Sequence, residues 1–153
     1  MKRITKPISI SFRVATLQDI NHILKVERRA FDTPWSKLKF TDSFNNPNIN
    51  TQLVLKNDQI VGYLLTLHSI DFVDVLNLCI DPDYQRQKLG KKLLDDLQQR
   101  LEKGKVQSIL LEVRVSNTAA IHFYRYYGFE WVDTRKKYYS NGEDAKILCL
   151  KIS

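Results

Sequence analysis

The sequence predicts an α/β domain, an α+β mixed sheet of about seven strands flanked by about four helices, and three observations carry that reading. Apolar, strand-like runs cluster between Thr51 and Ile80 and return near both ends of the chain. Segments with apolar residues at helical spacing interrupt them at residues 17–31, 89–103 and 117–127. The run 108–115 lies between two of those helices, and a crossover of that length requires a parallel connection.

In chain order, residues 8–14 alternate as a first strand. A helix follows with Leu17, Ile20, Ile23, Leu24, Glu27 and Phe31 at helical offsets and Thr16 as N-cap. Pro34, Trp35 and Ser36 break it and open a second helix through about Asn45, with Ser36 as cap and Leu38, Phe40 and Phe44 making apolar contacts. Residues 45–48 form a loop. The runs 51–56 and 60–70 flank Asn57-Asp58-Gln59, a hairpin signal, and 73–80 continues the meander. Leu89, Leu93, Leu94, Leu97 and Leu101 stripe the next helix, which Gly104 is expected to end. The strand 108–115 is expected to be buried on both faces. Gly128 closes the helix 117–127, and 129–139 pairs antiparallel with 145–152 around Ser140-Asn141-Gly142. The order is βααβββαβαββ.

At 153 residues, 43% apolar and 27% charged, the chain is expected to form a single domain over residues 1–153. The net charge of +7 favours acidic partners, whether nucleic acid, a phosphorylated cofactor or an RNA-rich assembly, and does not choose among them. The segment 1–12 starts basic but develops no apolar run long enough for a signal peptide, and no stretch reaches transmembrane length, so a cytoplasmic protein without membrane contact is expected. Cys79 and Cys149 lie in apolar runs without metal spacing and read as reduced, buried small hydrophobes. His22, His68 and His122 have no ligand spacing, and no metal is expected. Asp71 and Asp74 read as solvated turn residues, and Lys136 and Lys137 as a solvated strand end.

Two segments carry chemistry. From Ile80 to Leu94 an apolar strand end passes through Asp-Pro-Asp-Tyr-Gln-Arg-Gln-Lys-Leu-Gly into an amphipathic helix. The first turn of a helix leaves about four N–H groups unpaired, which together with the macrodipole suit an anion. Arg86, Lys88, Lys91 and Lys92 add positive charge there. In the second segment, alternation sets Ile109, Leu111, Val113 and Val115 on one face and Leu110, Glu112 and Arg114 on the other. A carboxylate inside a buried strand needs compensation, and an ion pair between Glu112 and Arg114 or another basic side chain is one reading.

The order Gln85, Arg86, Gln87, Lys88, Leu89, Gly90 resembles the acetyl-coenzyme A loop of the GCN5-related N-acetyltransferases (GNAT superfamily), Gln/Arg-x-x-Gly-x-Gly/Ala, with Lys88 where that family usually has glycine. The string Leu111-Glu112-Val113-Arg114-x-Ser116-Asn117-x-Ala119-Ala120-Ile121-x-x-Tyr124-x-x-x-Gly128-Phe129 is more specific and is similar to the ribosomal-protein-alanine N-acetyltransferase branch. Phe31-x-x-Pro34-Trp35-Ser36, Arg135-x-x-Tyr138-Tyr139 and Glu143-Asp144-Ala145 match the same branch. The resemblance runs from about Phe31 to Leu150 and is weakest across residues 43–73.

The resemblance implies the GNAT acyl-CoA N-acyltransferase fold and direct acetyl transfer from acetyl-CoA, without a metal, to the N-terminal α-amine of an alanine on a small-subunit ribosomal protein. No direct nucleic-acid binding is required. It implies Glu112 as general base and Tyr124 as general acid. Leu78, Cys79 and Ile80 would offer main-chain groups to the pantetheine arm. Arg86, Gln87, Lys88, Leu89, Gly90 and Lys91 would hold the pyrophosphate, and Asn117 would contact the cofactor's arm. Trp35, Tyr138 and Tyr139 would shape the acceptor slot.

That chemistry suits the residue types. An amine attacks a thioester only when neutral, and an α-amine has a pKa of about 7.7–8.0 against about 10.4 for lysine, so one glutamate is an adequate base. Two other readings stay open: the same fold acting on a lysine side chain or small-molecule amine, and a basic RNA-binding module. Against the last, the aromatics do not assemble into a strand-borne stacking motif. Glycine permits close backbone approach, so Lys88 either fits an ordinary backbone conformation or weakens the grip; Lys88→Gly is expected to change affinity by less than about tenfold.

Overall fold

Asn57 and Asp58 both turn through left-handed backbone, φ 50° and 67°, a two-residue reversal whose twist matches that of the strands it joins. In the computed structural model, which describes residues 7–152, those strands are β2 (Ile49–Lys56) and β3 (Gln59–His68). β1 (Ile10–Val14) precedes them, with α1 (Ile20–Ala30) and α2 (Lys37–Phe44) intervening. β4 (Phe72–Ile80), α3 (Leu89–Arg100), β5 (Ser108–Arg114), α4 (Thr118–Tyr127), β6 (Glu130–Arg135) and β7 (Ala145–Lys151) follow. The seven strands form one mixed sheet in the order β1-β2-β3-β4-β5-β7-β6. β4 and β5 run parallel from Phe72↔Ser108 to Val75↔Leu111, while β5–β7 and β6–β7 are antiparallel. The order of strands and helices is the predicted one.

Two compact units divide the chain. The first takes the described residues up to Leu65 together with Asn77–Asp95, and the second takes Thr66–Leu76 and the described residues from Asp96 onward. In the first, α1 turns Ile20, Ile23, Leu24 and Val26 onto Leu53 and Leu55 of β2, Tyr63 and Leu65 of β3, and Cys79 of β4. Phe40 of α2 completes this core and meets the Tyr63 ring edge-on at 6.0 Å. At Gly62 of β3 there is no room for a side chain: a Cβ would stand 2.7 Å from the Cys79 carbonyl oxygen and 2.6 Å from Ile80 Cδ1 of β4.

The second unit builds its core from the alternating face Ile109, Leu111 and Val113 of β5, with Leu148, Phe129 and Tyr124 also buried. The helix ends behave as capping chemistry requires. Ser36 Oγ accepts from Lys39 N–H at 3.1 Å, Asn117 Oδ1 accepts from Ala120 N–H at 3.1 Å, and Gly128 takes φ 126° at the end of α4.

Several expectations are corrected. β5 is buried on one face only; Leu110, Glu112 and Arg114 are half-buried on the other. α1 is preceded by a 3-10 turn, Leu17–Asp19, because the Asp19 carboxylate bonds back to Thr16 N–H at 2.8 Å, and Leu17 is exposed. Leu38 makes no core contact and is 68% exposed, since Phe40 alone on that turn reaches Tyr63. α3 ends at Arg100, ahead of Gly104, which turns at φ 84° within the following loop. β6 stops at Arg135, so Tyr138 and Tyr139 lie in the loop before β7. Cys149 is half-buried, whereas Cys79 is buried as expected. β1 begins at Ile10, and residues 1–6 of the segment read for a signal peptide lie outside the described residues.

Gly62→Ala should lower the unfolding free energy by about 1–3 kcal/mol in urea titrations, because a backbone oxygen cannot yield to the new methyl. Acid should reveal a second dependence. Arg13 grips Asp19 with two bonds of 2.8 and 2.9 Å and lowers its pKa to about 2. The resulting stabilisation is complete above the ordinary aspartate value of about 3.9 and vanishes as pH falls through about 2. Arg13→Met should therefore make the stability–pH curve shallower across that window.

Candidate active site

Asp81 ends β4 and organises the turn into α3. Its Oδ1 accepts from Asp83 N–H at 2.9 Å, its carbonyl accepts from Tyr84 N–H at 2.8 Å, and Pro82 supplies the fixed φ of the intervening 3-10 turn. Arg29 of α1 clamps this turn through ion pairs to Asp81 at 3.0 Å and Asp83 at 2.8 Å. Arg86 and Lys88 then take left-handed backbone, φ 63° and 62°. Left-handed residues set among right-handed or extended ones turn neighbouring N–H groups into a concave donor array that suits an anion. The Lys92 N–H bonds the Lys88 carbonyl at 3.0 Å, so the N–H groups of Leu89, Gly90 and Lys91 stand ahead of the α3 ladder at its positive end.

The side chains of this loop divide. Leu89 is buried and offers only its main chain, whereas Arg86, Gln87, Lys88, Lys91 and Lys92 are exposed. Gln87 Oε1 accepts from Lys56 Nζ at 2.8 Å, and Lys91 pairs with Asp95 at 2.7 Å, one turn along the helix. Lys88 does not take an ordinary backbone conformation: it lies in the left-handed region, which glycine takes freely and which costs an L side chain about 1–2 kcal/mol.

Along β4, the β5 ladder ends at Val75, and Leu78 and Ile80 are half-buried beyond it. The Ile80 carbonyl accepts from Gln85 Nε2 at 3.2 Å. Burial pushes the Cys79 thiol up to about 12, leaving it neutral and a packing group, as the sequence suggested. In the loop after α1, the Trp35 ring lies tilted 5.2 Å from the Phe40 ring, with Lys39 Nζ 4.1 Å from its centroid. Its N–H donates to Glu27 Oε2 at 2.9 Å, and Glu27 Oε1 accepts from Tyr63 Oη at 2.6 Å and Asn77 Nδ2 at 2.9 Å.

In the second unit Glu112 gathers a polar cluster. Arg135 Nη1 lies 3.3 Å from its Oε1, and the Tyr138 hydroxyl is held protonated to higher pH by its hydrogen bond to Glu112. Asp74 of β4 faces the same carboxylate; burial first, then the charge of Glu112, raises its pKa. One reading is thereby corrected. Asp74 is a half-buried strand residue rather than a solvated turn, a placement that its position between Val73 and Val75 in an alternating run could have signalled. Of the basic side chains open to Glu112 in the sequence, Arg114 or another, the structure pairs it with Arg135. Arg114 and Arg135 flank Ala145 across the sheet, and the two like charges diverge: Arg114 lies 3.9 Å over the Tyr139 ring and bonds Asn141 Oδ1 at 3.3 Å.

Tyr138 and Tyr139 pack edge-to-face at 5.1 Å. Tyr124, 8% exposed, sits between Phe123 and Phe129 at 5.1 and 5.4 Å, and burial raises its pKa, so the phenol keeps its proton throughout the neutral range. Asn117 uses its Oδ1 as the α4 cap. Among the described residues, no group of three or more His, Cys, Asp and Glu side chains is placed to hold a metal ion, and no helix is long and apolar enough to cross a membrane.

With this geometry in place, comparison with known proteins is informative. Residues 17–129 match the Acetyltransferase (GNAT) family. The chain is 38% identical over 138 residues to the [ribosomal protein bS18]-alanine N-acetyltransferase of Escherichia coli K12, covering 88% of this chain and 93% of that one. It is 34% identical over 143 residues to the Salmonella typhimurium protein of the same name, covering 92% and 96%. The crystal structure of the Escherichia coli ribosomal-protein-S18-alanine N-acetyltransferase superposes with a TM-score of 0.86 at 34% identity, covering 95% of each chain. The chain belongs to the GNAT acetyltransferase family.

Lys88→Gly should release the backbone cost and stabilise the protein by about 0.5–1 kcal/mol net of the glycine's larger unfolded-state entropy, read as a higher unfolding midpoint. Its affinity for coenzyme A should change by less than about tenfold, because the N–H donors remain; calorimetric titration checks this.

Proposed function

We propose that the protein transfers the acetyl group of acetyl-CoA to the N-terminal α-amine of an alanine, on the ribosomal protein counterpart of bS18, in the cytoplasm. The observation that carries the reading is the similarity to enzymes named for that acceptor over nearly the whole length of both chains. The residues fit the donor: left-handed positions at Arg86 and Lys88 and the free start of α3 suit its pyrophosphate, and Leu78, Cys79 and Ile80 suit the amides of its arm. Acetyl-CoA, when bound, supplies an activated acetyl thioester.

Glu112 takes a proton from the acceptor amine as the nitrogen bonds to the acyl carbon. Its half exposure leaves the carboxylate within reach of water, which can relay that proton. Tyr124 gives its phenolic proton to the departing sulfur as the carbon–sulfur bond breaks, a role supported by the burial that keeps it protonated. No side-chain nucleophile is needed, in keeping with a Cys79 thiol raised to about 12. Trp35, Tyr138 and Tyr139 are the residues proposed to shape the acceptor slot, and Asn117 the one proposed to contact the cofactor's arm.

Mass spectrometry on a peptide with a free N-terminal alanine should show a single added acetyl group in the presence of acetyl-CoA, while the same peptide with a blocked N-terminus stays unmodified. Acetylation of an internal lysine on the blocked peptide would instead select the lysine-acceptor reading. Glu112→Gln and Tyr124→Phe should each lower kcat by about 10²–10⁴ with acetyl-CoA affinity nearly intact. Equal loss of binding would mark both as structural.

A further inference from the structure

Glu27 is a fully ionisable side chain with only 1% of its surface exposed, and the activity described above does not use it. Burying a carboxylate is costly unless donors replace its water. Three do so: Tyr63 Oη and Asn77 Nδ2 at Oε1, and the main-chain N–H of Trp35 at Oε2. No Lys, Arg or His among the described residues pairs with it; the nearest basic residues of α1, Arg28 and Arg29, are exposed, and Arg29 is committed to Asp81 and Asp83. The donors are therefore neutral, and each matters.

The arrangement is directional. Tyr63 and Asn77 lie on β3 and β4 and hold the carboxylate in place, while its other oxygen reaches out to the one donor that belongs to a loop. Residues 31–36 belong to no helix or strand: Phe31 N–H closes α1 on the Glu27 carbonyl at 3.0 Å, the Ser36 carbonyl accepts from Phe40 N–H at 3.3 Å, and Pro34 removes the N–H beside Trp35. The bond to Glu27 is what fixes the main chain where the Trp35 ring begins, so that ring can stack on Phe40 and under Lys39.

We propose that Glu27 is a positioning residue for the acceptor: its buried carboxylate ties residues 31–36 to the sheet and so sets the affinity for the acceptor polypeptide without touching the reacting atoms. This rests on the acceptor-side reading of that loop under the proposed function. Glu27→Gln is the informative change, because an amide of the same size keeps an oxygen for Tyr63 and Asn77 but turns an NH₂ toward the Trp35 N–H, donor against donor.

Hydrogen–deuterium exchange on the full chain should show the wild-type Trp35 amide protected at least about tenfold over Asp32 and Thr33, and this protection lost in Glu27→Gln. In steady-state acetylation of an alanine-terminated peptide, Glu27→Gln should raise the peptide KM at least about tenfold with acetyl-CoA KM and kcat within about threefold. Tyr63→Phe, which leaves the Trp35 bond intact, should lower the unfolding midpoint yet keep the peptide KM within about threefold. A Trp35 amide that exchanges freely in the wild type overturns the tether, whether or not Glu27→Gln folds. An unmoved peptide KM after loss of protection, or a parallel rise of both KM values in Glu27→Gln and Tyr63→Phe, overturns the positioning role. If the wild type acetylates no alanine-terminated peptide, the proposed function and the acceptor role that rests on it fall, while the exchange experiment still decides whether the tether exists.

Discussion

A carboxylate withdrawn from water holds its surroundings to strict terms, and in the first unit Glu27 sets them. Its two oxygens take donors from β3, β4 and the loop after α1, so one side chain fixes the relation of three segments that have no main-chain ladder in common with the helix that carries it. Apolar packing of Ile20, Ile23 and Leu24 tolerates small rotations of α1, because dispersion is not directional. Hydrogen bonds to a buried charge do not tolerate them. Core packing thus supplies the adhesion of α1, and Glu27 supplies its registry.

The proposed anion-binding end of the same unit is specified differently. The net charge of +7 draws anions over a distance, but the lysines nearest the loop are partly engaged, Lys56 with Gln87 and Lys91 with Asp95. The grip then falls to main-chain N–H groups, which do not move with ionic strength or rotamer. Their direction depends on left-handed backbone at Arg86 and Lys88 and on the turn that Arg29 clamps. A side chain at residue 88 costs conformational energy without removing a donor, which is why the departure from glycine is compatible with the site.

The proposed proton transfers ask for opposite environments, and Glu112 and Tyr124 of the second unit differ in that sense. Glu112 stays half exposed beside Arg135, with Asp74 raised in its place as the carboxyl that is harder to ionise. Tyr124 is sealed between two phenylalanine rings and keeps its proton. Burial and the charge of Glu112 raise Asp74, and Arg135 offsets part of that rise.

The order of elements, the caps at Ser36 and Gly128, and the face on which Glu112 lies follow from periodicity and turn chemistry and are legible in the chain alone, whereas the cap at Asn117 emerges with the fold. The proposed roles of the loop, Glu112 and Tyr124 rest on motifs that are each continuous in the chain. What only the tertiary structure decided is which distant residues meet. Glu112 takes Arg135 rather than Arg114 because β7 lies between β5 and β6, and the Ala145 register sets the two arginines against each other. Asp74 faces Glu112 because a parallel ladder places it beside Leu110. Glu27 reads as one more residue on a helical stripe until Tyr63, Asn77 and Trp35 are folded against it. Local propensity acts within a few residues, whereas strand register and buried hydrogen bonds join positions far apart in the chain, and no local signal in the sequence records those pairings.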